Sequence, residues 1–203
     1  MGETLSTVAK KKQTINTLYT FIYPYLSNEK IAMLQTINED NVIDKEVFES
    51  FFLCTEREFS LFKKSNGLID YFELITVIYL LKTDVYKTKV WNILNIFTFY
   101  ETDFLFNKDT FTFITNTFIN SVKRLYSIDE FDEDINLKLS KEIEIYERSI
   151  FRGDTLEDVK ISYMRKFIEE DEALFNFLFI ITEQTDEVFR TYQQHAQKHQ
   201  FKI

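Results

Sequence analysis

Twenty-two phenylalanines and eleven tyrosines share this 203-residue chain with one proline and three glycines. Large aromatic side chains need a core to fill, whereas a turn-dense β-sandwich needs many glycines and prolines to reverse its strands. The imbalance therefore favours long helices with bulky interiors. Gly2, Gly67 and Gly153 are too scattered for a G-x-G-x-x-G fingerprint or a phosphate-cradling P-loop. With 33 acidic against 24 basic side chains the net charge is −9, so most of the surface repels a phosphate backbone and nucleic acid is not an expected partner. A single cysteine, Cys54, and two histidines, His195 and His199, build neither a disulfide framework nor a Cys-rich zinc site; a reducing, cytoplasmic compartment is the default. The longest apolar stretches, 74–81 and 174–181, fall well short of the roughly 20 residues of a membrane helix. The start, Met1-Gly2-Glu3-Thr4-Leu5, lacks the apolar core of a secretory signal.

Apolar residues recur three and four apart along most of the chain. The clearest run is Phe111, Ile114, Thr115, Phe118, Ile119, Val122, Leu125 and Tyr126; shorter ones are Phe48, Phe51, Phe52; Phe72, Ile75, Tyr79; Val90, Leu94, Phe97; and Val159, Tyr163, Phe167. This spacing predicts nine or ten helices, each burying one face. Ser27, Asp44, Thr55, Asp70, Asp109 and Thr155 are the predicted N-caps, because a short side-chain oxygen can accept from the free N–H groups of a first turn. Asp70-Tyr71-Phe72-Glu73 has the carboxylate spacing of a capping box.

Ser65-Asn66-Gly67-Leu68-Ile69-Asp70-Tyr71-Phe72-Glu73 resembles the second half of an EF-hand calcium loop. Gly67 stands at the sharp turn, Ile69 where an aliphatic residue pairs with a sister loop, and Glu73 at the position of the bidentate carboxylate. Phe97-Thr98-Phe99-Tyr100-Glu101-Thr102-Asp103 resembles the entering side of another hand, with Glu101 and Asp103 at the first and third ligand positions and Phe106 at the strand position. Asn38 to Asp44 and Gly153 to Val159 are similar to a first and a fourth loop. The chain is thus identified as a degenerate member of the calmodulin, neuronal-calcium-sensor, calcineurin-B and calaxin-like superfamily. The resemblance implies an all-α fold of EF-hand-like helix-loop-helix pairs in two lobes, with vestigial short β pairing between loops. It divides the chain into 1–83 (N-terminal helices and first pair), 84–185 (second pair and closing helix) and a polar tail, 186–203.

The loops depart from the family where chelation needs them. Lys63 stands at the first-ligand position, Thr110 replaces a final Glu, and both loops are short. Like charges about 4 Å apart cost on the order of 4 kcal/mol at an effective dielectric of 20, and twice that against a divalent ion. No metal and no other cofactor is expected, and Asp70 and Glu73 read as helix caps. Paired hands that fold without metal present a standing groove to a partner helix; Phe51, Phe52, Tyr79, Trp91 and Phe97 are the candidate lining residues, and ordinary core positions are the equal alternative.

The implied function is a calcium-independent adaptor or light-chain-like structural subunit that docks an amphipathic helix of a protein partner in a multi-subunit complex. An axonemal (cilium) or cytoskeletal setting follows from the group resembled, and the Phe, Asn, Ile and Lys richness resembles protist sequences. The alternatives are a calcium-sensing regulatory subunit of the calcineurin-B kind and a helical subunit of a mitochondrial or other membrane complex. The last predicts no strand pairing at Ile69 and Phe106. Gly2 and Lys10-Lys11-Lys12 fit an N-myristoyl anchor with a polybasic second signal, but Glu3 disfavours acylation. Catalysis has no constellation behind it and no enzyme activity is expected. Cys54 has no basic partner in sequence, His195 and His199 lack a third ligand, and the acidic runs Glu142 to Glu147 and Glu169 to Glu172 read as solvated helix faces.

Overall fold

The computed structural model describes residues 22, 27–37, 41–53, 56–82, 84, 86–101, 103–126, 131, 133–152 and 156–164. Cys54, His195, His199, the basic run at 10–12, the predicted caps Thr55 and Thr155, and the tail at 186–203 lie outside them. The described chain is mostly helical with two small antiparallel strand pairs. In order it runs α1 (Asn28–Ile37), β1 (Val42–Ile43), α2 (Lys45–Phe52), α3 (Glu56–Phe62), β2 (Ile69–Asp70), α4 (Tyr71–Leu81), α5 (Tyr86–Phe97), β3 (Leu105–Asn107), α6 (Lys108–Tyr126), α7 (Glu133–Ile150) and β4 (Asp158–Lys160). Residues 161–164 are helical.

The helix starts follow the capping chemistry with one exception. Asp44 Oδ1 accepts from the Val47 amide at 2.8 Å, Asp70 Oδ1 from the Glu73 amide at 3.0 Å, and Ser27 Oγ from the Lys30 amide at 3.3 Å. For α6 the cap is Asn107, whose Oδ1 accepts from the Thr110 amide at 2.8 Å, and not Asp109, which sits inside the first turn. Val159, read from its spacing as the first residue of a helical face, instead lies in β4. A run of Val, Tyr and Phe at i, i+4, i+8 cannot register that its first member leaves the helix to pair with another strand.

Each strand pair ties two helix-loop-helix stretches together. Ile43 faces Ile69 and Val42 faces Asp70, and the Tyr71 amide extends the ladder by donating to the Asn41 carbonyl at 3.1 Å. In the second pair Phe106 faces Val159, flanked by Leu105 with Lys160 and Asn107 with Asp158. Ile43, Ile69, Phe106 and Val159 all point inward and are buried, which pins the register, because a one-residue slip would turn each of them outward.

Helix α4 is the centre of the molecule. All its residues from Tyr71 to Leu81 are buried, so the one-sided pattern expected for Phe72, Ile75 and Tyr79 is instead a largely apolar helix buried on every side. It packs against both α5 and α6. One hydrophobic cluster of described residues runs from Ile22 to Met164. Inside α4 the Thr76 hydroxyl is buried with no hydrogen-bond partner among the described residues, while Glu73 is buried with several.

Candidate functional site

The loop between α3 and α4 is closed by its own backbone. The Lys64 amide donates to the Leu68 carbonyl at 2.8 Å and the Gly67 amide to the Lys64 carbonyl at 2.9 Å; the Leu68 amide donates to Asn66 Oδ1 at 3.1 Å. This reversal needs φ +78° at Gly67, where an added Cβ would meet nothing within 4 Å. The cost of a side chain there is thus purely conformational. Gly67→Ala is expected to lower stability by about 1 kcal/mol, and Gly67→Asn by less, since asparagine tolerates the left-handed region; urea unfolding of the two variants checks the order.

Where this loop enters α4, two carboxylates and two cations meet. Lys64 Nζ lies 2.9 Å from Asp70 Oδ2 and 3.1 Å from Glu73 Oε1. The other Glu73 oxygen, Oε2, accepts from Arg124 Nε at 2.7 Å, and Arg124 also donates to the Leu61 carbonyl at 3.2 Å, near the end of α3. One turn earlier on α6, Ser121 Oγ lies 3.2 Å from the Glu73 carbonyl oxygen. The Glu73 side chain is only 5% exposed. A buried carboxylate requires compensating cations, and this one receives one from its own loop and one from 51 residues further along the chain. Burial disfavours the Lys64 ammonium, but the hydrogen bonds and charges of Asp70 and Glu73 outweigh it, so Nζ holds its proton above the ordinary lysine value of 10.5.

Lys63, singled out by sequence as the cation beside the loop, points elsewhere. It is half exposed, and its Nζ lies 3.6 Å from Glu56 Oε1 at the start of α3; Glu56 is also paired with Lys45. The cation on the loop carboxylates is its neighbour, Lys64. Arg124 has no sequence signal linking it to Glu73, because the contact exists only once α6 has packed on α4. A half-signal was present for Lys64: a lysine in a loop that ends in Asp and Glu at the start of an apolar helix.

The other sequence-marked residues separate into two groups. Glu101 and Asp103 are exposed, whereas Phe106 is buried on β3. Of the candidate groove residues, Phe52, Tyr79 and Phe97 are core members, and Phe51 and Trp91 are partly buried against that core. Phe51 meets Phe52 edge-on at 4.8 Å, while Phe97 stacks on Phe72 at the same centroid distance. Three of the five are thus buried and two half-buried. Among the described residues no three His, Cys, Asp or Glu side chains converge as metal ligands, and no helix is long and apolar enough to cross a membrane. Comparison of the chain with protein-family models, curated proteins and solved structures returns no match.

Proposed function

We propose that the chain is a calcium-independent, EF-hand-like scaffold that serves as an adaptor or light-chain-like structural subunit in a larger protein assembly. The observation that carries this reading is Lys64 Nζ seated between Asp70 and Glu73, in a loop strand-paired to a neighbouring helix-loop-helix stretch through Ile43 and Ile69. In a chelating loop a metal ion would bind the carboxylate at the start of the exiting helix. Here a protonated amine occupies that role and Arg124 reinforces it from α6, which removes the reason for a metal to enter and for the fold to respond to one.

A scaffold of this kind is permanently in one state, which suits a constitutive subunit better than a sensor. The axonemal or cytoskeletal setting rests on the sequence resemblance alone. Against the reading as a helical subunit of a membrane complex stand the two strand pairs, at Ile69 and at Phe106, which accidental motif matches do not call for. Isothermal calorimetry on the full chain separates the scaffold from a calcineurin-B-like sensor. No saturable heat is expected on titrating calcium. A one-to-one micromolar isotherm would replace the scaffold reading with the sensor.

A further inference from the structure

At the end of α5 two consecutive residues, Phe99 and Tyr100, have φ of +50° and +61°. The Phe99 amide donates to the Ile96 carbonyl at 3.1 Å and the Tyr100 amide to the Asn95 carbonyl at 2.9 Å. This is the hydrogen-bond pattern of a Schellman cap, in which glycine ordinarily takes the left-handed position. An aromatic side chain there is disfavoured, yet Phe99 is 61% exposed, Tyr100 54%, and Phe113 on α6 47%. Phe99 and Phe113 form a single patch around Phe72, and Tyr100 adjoins Phe99 in the chain. The Phe72 ring meets Phe99 at 6.3 Å and Phe113 at 5.6 Å, and Phe97 meets Phe113 at 5.7 Å. The Tyr100 side chain hydrogen-bonds Tyr79, two turns further along α4 than Phe72.

The rim of this patch is acidic. Glu101 follows Tyr100 directly and Asp103 comes two residues later, and Asp109 stands one turn before Phe113 on α6; all three are exposed. Lys108, their nearest basic neighbour in sequence, is turned to Glu147 at 3.4 Å. Exposed π faces beside carboxylates attract guanidinium and ammonium groups twice over, through the ring quadrupole and through charge.

We infer that the Phe99 and Phe113 patch is a docking surface for a basic, apolar peptide segment of a protein partner, whose Arg or Lys side chains stack on the rings and pair with Glu101, Asp103 and Asp109. A second copy of this chain, at −9 overall, is the less complementary occupant, and the self-association arm of the test separates it. The inference stands on surface chemistry and goes beyond the scaffold reading, which calcium calorimetry tests separately.

The test is amide NMR on the full chain, titrated with an amphipathic peptide of leucine and arginine and with its leucine and glutamate counterpart. The arginine peptide is expected to shift amides at 97–101 and 109–116 saturably, and the glutamate peptide to leave them in place. Phe113→Ala and, separately, the double variant Glu101→Lys with Asp103→Lys are each expected to weaken binding by about tenfold or more. The charge reversal touches only exposed loop residues, so it remains informative if Phe113→Ala loses stability. Equal binding of both peptides, arginine-peptide binding indifferent to the charge reversal, or the same shifts produced by self-association or by phosphatidylcholine vesicles would each overturn the assignment.

Discussion

Arg124→Leu is expected to cost about 3 kcal/mol of folding stability, the lower end of what removing one partner of a buried ion pair costs. The substitution leaves Glu73, 5% exposed on its side chain, with Lys64 as its remaining cation, and it removes the donor to the Leu61 carbonyl. The penalty comes from the stranded carboxylate more than from the lost bond. Adding Glu73→Leu to the same background should therefore recover most of the loss, because an apolar replacement of the whole pair restores compensation. Urea unfolding of the single and double variants reads both effects. If Arg124→Leu were silent, Glu73 would have to be solvated in solution, contrary to its place under α6.

Phe48→Ala is the second large effect, expected at about 4 kcal/mol, within the range for emptying a buried phenylalanine site. Phe48 is fully buried and is the hub of a ring cluster, with Phe52 at 4.7 Å, Phe59 at 5.8 Å and Phe62 at 5.9 Å. Those rings come from α2 and α3, the two helices joined at Leu53, whose backbone is left-handed at φ +50°. So short a corner leaves the helices little freedom to close on a cavity, which argues for the upper part of the range. For a chain of this size the loss corresponds to a melting temperature lower by roughly 10 °C. Phe48→Leu, which keeps most of the volume, should lose less than half as much.

The helices were legible because burial on one face leaves a period in the sequence, as in Phe111 to Leu125. The strand partners were legible only in part. Ile69 and Phe106 carry the residue type of a buried strand position, but nothing local states that their partners are Ile43 and Val159. The all-round burial of α4 was hidden in plain composition: Leu74 to Leu81 is nearly continuous apolar sequence, yet Phe72, Ile75 and Tyr79 alone suggested a single buried face. The ion site was the least legible. Lys63 and Lys64 are chemically equivalent neighbours, and only the course of the loop at Gly67 decides which ammonium meets Asp70 and Glu73. Arg124 enters through tertiary packing alone, and so does the aromatic patch, since the exposure of Phe99 and Phe113 depends on how α5 and α6 flank α4.

Lys64 supplies, from within the chain, the positive charge on which this loop closes. A lysine whose native value is raised stabilises the fold fully below its unfolded value of 10.5, and that contribution is lost as the pH climbs through the raised native value. Residue-specific NMR titration of the Lys64 side-chain amine in the full chain tests this directly. The prediction is a titration above that of an ordinary lysine, moving downward in Glu73→Gln and indifferent to added calcium. A Lys64 that titrates at or below the ordinary value, or that is displaced when calcium is added, would contradict it.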